Sequence, residues 1–258
     1  MKMKCLAVDY DGTLKRQGKI NPNTIEALKS FREEGNIFGI VTGRSVQSII
    51  LELAHFGVEI DFLVANNGGV IASVDGEVLS VETIELAVVN ELIQLVQSFE
   101  DCASYVLNDG RYRARNILND QLPDIKYGQL DSMVDEAEML AKGRIAQMVI
   151  SLSSNDHRHE YAKLINERFD GQVVAYPNER CIDIVPFGVS KASGLAKAIA
   201  SYKLDRVVAV GDNYNDISML EAYEGITFND SFDEVKQAAS FCIDDIYDLF
   251  TKYSILSK

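Results

Sequence analysis

Basic residues, cysteine pairs, paired histidines and long apolar runs are all scarce in this chain of 258 residues. Lys and Arg number 25 against 39 Asp and Glu, a formal net charge of −14. That balance argues against a nucleic-acid footprint, which needs clustered Lys and Arg. It leaves room for an anionic ligand, because a bound cation inverts the local field. Cys5, Cys102, Cys181 and Cys242 form no CxxC pair and sit among apolar or small neighbours. They read as buried free thiols, as expected in a reducing compartment. His55, His157 and His159 have no ligand spacing to one another and read as structural or exposed. The opening MKMKCLAVDYDG breaks its apolar run at Asp9, too early for a secretory signal. No stretch approaches the ~20 apolar residues of a membrane span. The expectation is a cytoplasmic protein with no membrane and no nucleic-acid partner.

What is present is a repeated alternation of short apolar strands and amphipathic helices. KCLAV (4–8), IFGIV (37–41) and DFLVA (61–65) read as buried strands separated by helical segments. The first of these, NPNTIEALKSFREEG, has Asn21 to cap it, Pro22 at its first position and Gly35 to end it. Strands joined by helices of this length imply right-handed crossovers and a parallel sheet, hence an α/β class. The pattern returns with SKASGLAKAIASYK (190–203), RVVAV (206–210), NDISMLEAYE, GITF (225–228) and a short FCI (241–243). Between the halves the texture changes. VETIELAVVNELIQLVQSF (81–99) reads as one long helix, and SYVLNDGRYRARNI (104–117) reads as a hairpin around Asn108-Asp109-Gly110. IAQMVISLS, QVVAY and ERCIDIV supply further strands, with HEYAKLINERF a helix. The segment from about 80 to 187 reads as an α+β unit inserted into the parallel one.

In open parallel sheets, ligands bind beyond the carboxyl ends of the strands. Four polar clusters follow four apolar strands here: DYDGT, TGRS, NNGG and GDNYND. Taken alone, DYDGT suits a solvated turn, since Asp and Gly favour turns. An EF-hand fails, because position 12 of a loop starting at Asp9 is Ile20, where a bidentate Glu is required. Asp212 fails too, with Tyr214 at the third position. What remains beside the solvated turn is a hard-cation site shared by Asp9 and Asp212. Magnesium suits it, taking few protein carboxylates and bridging to phosphate oxygens.

DYDGT (9–13), TGR (42–44), Lys191 and GDNYND (211–216) stand in the order of the four motifs of the haloacid dehalogenase superfamily. The DxDGT form, TGR, an NG after the third strand and GDNxND resemble most closely its Cof-like, subfamily IIB phosphatases. The resemblance implies a Rossmann-like doubly wound parallel core over 1–79 and 188–258. It also implies an α+β cap over 80–187 that governs substrate choice, with hinges near Ser80, Pro186 and Gly188. The implied activity is Mg²⁺-dependent hydrolysis of small phosphorylated metabolites, sugar phosphates above all, by a monomer or small homo-oligomer. A phosphomutase or phosphotransferase, or a non-catalytic phosphosugar-binding protein, would use the same scaffold.

Carried onto this sequence, the resemblance makes Asp9 the nucleophile and a metal ligand. Asp11 becomes the acid and base, lending its backbone carbonyl to the metal, and Asp212 the third protein ligand. Thr42 and the Gly43 N–H would hold phosphate oxygens, and Lys191 would offset the charges of phosphate and Asp9. Asp216 would hold metal-bound water or Lys191, Asn215 would donate to phosphate, and Asn213 would contact metal-bound water. Arg44 and Asn67 face the cleft in similar proteins, although for Arg44 an ion pair at the surface fits equally. RYRAR offers Arg111, Arg113 and Arg115 as one face of a strand, either an anion-binding wall or a charged edge. One departure stands out: where relatives carry a GVAMGNA-like loop, this chain has GITFNDS (225–231), placing Asn229 and Asp230 there.

Overall fold

The structure, a computed structural model, describes residues 3–129, 133–253 and 256. From the N-terminus it runs through β1 (Lys4–Val8), α1 (Pro22–Glu33), β2 (Ile37–Val41), α2 (Val46–Phe56), β3 (Phe62–Ala65), β4 (Val70–Ala72) and β5 (Val78–Val81). There follow α3 (Leu86–Val96), β6 (Cys102–Asn108), β7 (Arg113–Ile117), α4 (Glu136–Lys142), β8 (Gln147–Leu152), α5 (Arg158–Arg168), β9 (Val173–Asn178) and β10 (Cys181–Pro186). The chain closes with α6 (Lys191–Ile199), β11 (Arg206–Val210), α7 (Ile217–Ala222), β12 (Glu224–Phe228), α8 (Asp233–Ala238) and β13 (Phe241–Ile243). Two compact units result, one from Met1–Leu79 with Ser190–Lys258, the other from Ser80–Val189.

The first unit is an α/β fold. Its sheet has the order β13-β12-β11-β1-β2-β3-β4-β5, parallel from β13 to β3 and antiparallel at β3–β4. β1, β2 and β3 are buried on both faces, which is why they read as unbroken apolar runs. The chain proceeds from β1 towards β2 on one side and later returns to β11 on the other. The β1–β11 pair is therefore the topological switch point, where a crevice opens beyond the strand ends. Both DYDGT and GDNYND leave the sheet at that pair. α6 and α7 pack one face through Leu195, Ile199 and Met219 against Cys5, Ala7, Val64 and Ala209. Fully burying one leucine such as Leu195 contributes about 2 kcal/mol.

Helix α1 begins as its sequence indicates: Asn21 accepts from the Asn23 N–H, Pro22 follows, and Leu28 and Phe31 are buried. Helix α6 opens with a capping box between Ser190 and Ser193, which places Lys191 at its first position. The resemblance of the two halves of this unit rests on the same rule, an apolar strand that ends at a polar loop feeding a helix.

The second unit is α+β, an antiparallel sheet of order β7-β6-β8-β10-β9. One sheet face, with Leu107, Met148, Ile150, Ile182 and Ile184, packs against Val89 and Leu92 of α3 and Ile165 of α5. Three local expectations are corrected here. The helix read over 81–99 starts only at Leu86, because Val78–Val81 is strand and Ile84 forms a bridge to Ile145 (N to O, 2.8 Å). Helix α4, capped by Asp135 and closed by a left-handed Gly143, was not anticipated. Arg111 lies in the turn, where the Asp109 carboxylate accepts from the N–H groups of Arg111 and Tyr112, so the strand begins at Arg113. The three arginines do not form one strand face, and Arg115 is engaged by Asp124 at 2.7 Å. The cysteines are free thiols, with Cys5, Cys102 and Cys181 buried and Cys242 partly so.

Candidate active site

The loop after β1 folds tightly: the Asp9 N–H reaches Val210 O (2.9 Å), and the Gly12 N–H reaches Lys15 O (3.0 Å). Gly12 has φ +85°, and a Cβ there would stand 2.4 Å from Asp212 Oδ2. Only glycine allows the two loops to approach so closely. Thr13 then donates its hydroxyl to Asp212 Oδ1. Asp9 is buried, whereas the Asp11 side chain stays 53% exposed.

Lys191 enters from α6 and is fully buried. Its ammonium donates to Asp9 Oδ1 at 2.6 Å and to Asp216 Oδ1 at 2.5 Å. The second Asp216 oxygen accepts from the N–H groups of Asp212 and Asn213, both at 2.9 Å. Asp216 thus shapes the GDNYND turn and pins Lys191 together. Asn213 accepts from the Tyr214 N–H within the same turn. Oxygens of Asp9, Asp212 and Asp216 lie within 4.8 Å of one another.

Three carboxylates around one ammonium leave the cluster short of positive charge. Burial pushes the Asp9 carboxyl well above its ordinary range; Lys191 opposes this, and Asp216 and Asp212 add to it. Asp212 is pushed up to about 7, by burial first and then by Asp216. Lys191 moves the other way from what burial dictates, because Asp216 and Asp9 hold its proton. The donor set is entirely of hard carboxylate oxygen, which fits a divalent cation of the magnesium class. Among the described residues, this cluster is the one able to hold a metal ion.

The TGR and NNGG loops form the adjoining wall. The Asn67 N–H bonds Thr42 O (3.0 Å), the Asn66 N–H bonds Arg44 O (3.0 Å), and the Arg44 N–H bonds Thr42 Oγ1 (3.2 Å). Asn215 Nδ2 donates to Asn67 Oδ1 at 2.9 Å, linking this wall to the GDNYND loop. Asn67 is buried in the left-handed region (φ 53°), and its Nδ2 has no partner. A Cβ at Gly43 would lie 3.1 Å from Asn67 Oδ1, so this amide rests against the Gly43 backbone. A buried amide donor left unbonded costs about 1–3 kcal/mol, and such groups gather where a ligand completes them.

Arg44 is brought to Asp11, in a two-pronged pair of 2.5 and 2.7 Å. Residues that sequence reasoning passed over complete this corner: Tyr10, Lys15, Ser48 and Glu52. Ser48 and Glu52 stand four and eight residues after Arg44, a spacing on one helix face that marks them in retrospect. The GITFNDS loop is tied to both the DYDGT and GDNYND loops. Thr227 donates to Gly211 O (2.8 Å), and Asp230 pairs with Arg16 (2.6 Å), which also donates to Gly12 O (2.9 Å). Arg16 therefore neutralises the carboxylate that this loop adds.

The sequence pattern of haloacid dehalogenase-like hydrolases matches residues 6–248. The chain belongs to that family of hydrolases. It is 25% identical to the pyridoxal phosphate phosphatase YbhA of Escherichia coli over 95% of this chain and 94% of that protein. It is 24% identical to the 5-amino-6-(5-phospho-D-ribitylamino)uracil phosphatase YitU of Bacillus subtilis, over 91% and 90% of the two chains. Among solved structures, a phosphatase of the same superfamily from Bacteroides thetaiotaomicron shares the fold at TM-score 0.78 and 24% identity, covering 99% of this chain and 95% of that one. A subclass IIB sugar phosphatase does so at TM-score 0.80 and 22% identity, over 98% and 100%. Among the described residues, no helix is long and apolar enough to cross a membrane.

Proposed function

We propose that this protein is a magnesium-dependent phosphatase of small phosphorylated metabolites, sugar phosphates among them, working through an aspartyl-phosphate on Asp9. The observation that carries this reading is the Asp9 carboxylate, buried at a strand end, 2.6 Å from the Lys191 ammonium and beside Asp212. An Asp9 oxygen attacks phosphorus as the bond to the ester oxygen breaks. The electron pair stays on the departing oxygen, which takes a proton from Asp11. Asp11 then draws a proton from the water that hydrolyses the acyl phosphate, releasing inorganic phosphate and restoring Asp9.

Asp9, Asp212 and the Asp11 carbonyl would hold magnesium, with Asp216 and Asn213 supporting that loop. The ion supplies the charge that lets a carboxylate face a phosphate dianion. Lys191 offsets the charge of Asp9 and phosphate. Thr42 and the Gly43 N–H hold phosphate oxygens, with Asn215 and Asn67 beside them. The unbonded Nδ2 of Asn67 against Gly43 supports this placement.

The core over 1–79 and 188–258 carries the chemistry, and the α+β unit over 80–187 acts as a cap that selects the substrate. In support, every residue assigned above belongs to the first unit. The relatives are named for different small phosphorylated compounds, which agrees with a shared reaction and a separate selector. The test is a panel of phosphorylated metabolites with Mg²⁺, scored by inorganic phosphate. Release that vanishes in Asp9→Asn supports the reading, and undiminished turnover by that variant overturns it. An isomeric sugar phosphate in place of free phosphate would make the protein a mutase.

A further inference from the structure

Glu52 belongs to no motif, yet the corner around Asp11 is organised about it. Arg44 grips both oxygens of Asp11 through Nε (2.5 Å) and Nη2 (2.7 Å). Its remaining nitrogen, Nη1, points the other way, 3.5 Å from Glu52 Oε1 and 3.5 Å from Ser48 Oγ. The guanidinium also lies over the Tyr10 ring at 5.1 Å. Glu52 itself is clamped: Tyr10 Oη (2.9 Å) and Lys15 Nζ (2.6 Å) both donate to its Oε2. Burial works to raise the Glu52 carboxyl, but those two donors and Arg44 hold it below its ordinary range, so it remains an anion. Tyr10 and Lys15 come from the loop that carries Asp11, and Glu52 comes from the helix that follows Arg44. One guanidinium is thus shared between two carboxylates, one in a firm two-pronged grip and one at arm's length.

This arrangement bears on how Asp11 works, and rests on the reading of Asp11 as proton donor to the departing oxygen. With both oxygens held by Arg44, the Asp11 carboxyl is turned to the guanidinium and not to an ester. To serve the leaving group it has to release Arg44. A guanidinium that loses its partner in a partly buried corner is costly unless another anion takes it over. We propose that Glu52 is that anion, a positioning residue that receives Arg44 when Asp11 turns to the substrate and gives it back afterwards. Tyr10 and Lys15 keep Glu52 fixed so that Arg44 is the part that moves. No bond in the reaction is made or broken by Glu52; it acts through Arg44 on the orientation of Asp11.

The test compares esters that differ in their need for a proton donor. An alkyl phosphate has a poor leaving group, whereas p-nitrophenyl phosphate departs unaided as nitrophenolate. In single turnover with Mg²⁺, Glu52→Gln is expected to slow alkyl phosphate cleavage about tenfold, a part of the 10²–10⁴ that a general acid supplies. The nitrophenolate burst should stay within about twofold of the native rate, since a general acid's contribution is not called on there. Glu52→Asp, which keeps the charge and alters the shape, should retain more of the alkyl rate than Glu52→Gln, which keeps the shape. In an Asp11→Asn background, Glu52→Gln should leave the residual alkyl rate unchanged. Equal losses on both esters, a better rate for Gln than for Asp, or a persistent effect without Asp11 would each overturn the proposal. Absence of any Asp9-dependent phosphate release from the native protein would instead overturn the phosphatase reading on which it rests.

Discussion

Asp124 in the second unit and Asp9 in the first are both carboxylates withdrawn from water, and their surroundings differ in kind. Asp124 accepts from Ser104 Oγ (2.6 Å), Ser151 Oγ (2.7 Å), the Tyr127 N–H (2.9 Å) and the Arg115 guanidinium (2.7 Å). Burial works to raise its carboxyl, but the serines and Arg115 outweigh it and hold it below the usual range. Asp9 has one ammonium, which it shares with Asp216, and a third carboxylate close by. Burial raises it, Lys191 opposes, and the two neighbouring carboxylates add to the rise. A carboxylate that serves the fold is surrounded by enough donors to be settled as it stands. Asp9, with more carboxylates than cations around it, is left unsettled.

The sharpest way to break this contrast is to neutralise each side in turn. Asp9→Asn is expected to lower phosphate release at least about 10³-fold, as loss of a nucleophile does, measured with Mg²⁺ on whichever ester turns over fastest. Asp124→Ala should remove the acceptor shared by two serines, a backbone N–H and Arg115 and reduce stability by about 3 kcal/mol in urea unfolding. If instead it left stability unchanged, Asp124 would not be the settled partner its geometry indicates.

Asp212 offers a test from pH. Its carboxyl is pushed up to about 7 in the folded chain, against about 4 when unfolded. Between those values the folded state holds a proton that the unfolded state lacks. Stability of the metal-free protein therefore falls as pH rises through that window. Asp212→Asn should raise the melting temperature of the metal-free protein by about 4 °C at pH 8 and leave it unchanged near pH 4. On the proposed function, Mg²⁺ should raise the melting temperature of the native chain and leave that of this variant unchanged. A native protein more stable at pH 8 than at pH 5 without metal would contradict the charge imbalance drawn here. The smallest effect is expected at Asp230, whose pair with Arg16 is 71% exposed on the carboxylate side. Asp230→Asn should change stability by under about 1 kcal/mol. The Michaelis constant for a phosphate ester should hold within about twofold, because Arg16 already offsets that charge.

The strands of the first unit were legible because burial on both faces leaves runs such as IFGIV, and VVAV after Arg206, with no polar residue. Their polar loops were legible because each interrupts such a run. The second unit was harder to read. Ile84, apolar and in helical phase with α3, forms a bridge with Ile145 instead, since a long-range backbone bond outweighs a local helical tendency. Arg111 alternates correctly for a strand, yet the Asp109 side chain offers its N–H a nearer partner and bends the chain into a turn.

The same division runs through the site. The family resemblance, carried by motif order, singled out Asp9, Asp11, Thr42, Lys191 and Asp212 as candidates, and a parallel sheet aligns the strand ends from which all but Lys191 leave. Glu52 was passed over, since only its spacing from Arg44 hinted at it, and Tyr10, Lys15 and Arg44 meet it from two other segments. Nor did motif order distinguish the donors that settle Asp124 from the want of donors around Asp9. Charge imbalance, the sharing of one guanidinium and the orphaned amide of Asn67 are properties of distance in space. They arise only when the sheet brings loops distant in the chain within hydrogen-bonding reach, as β1 and β11 bring Thr13 to Asp212 some 200 residues on.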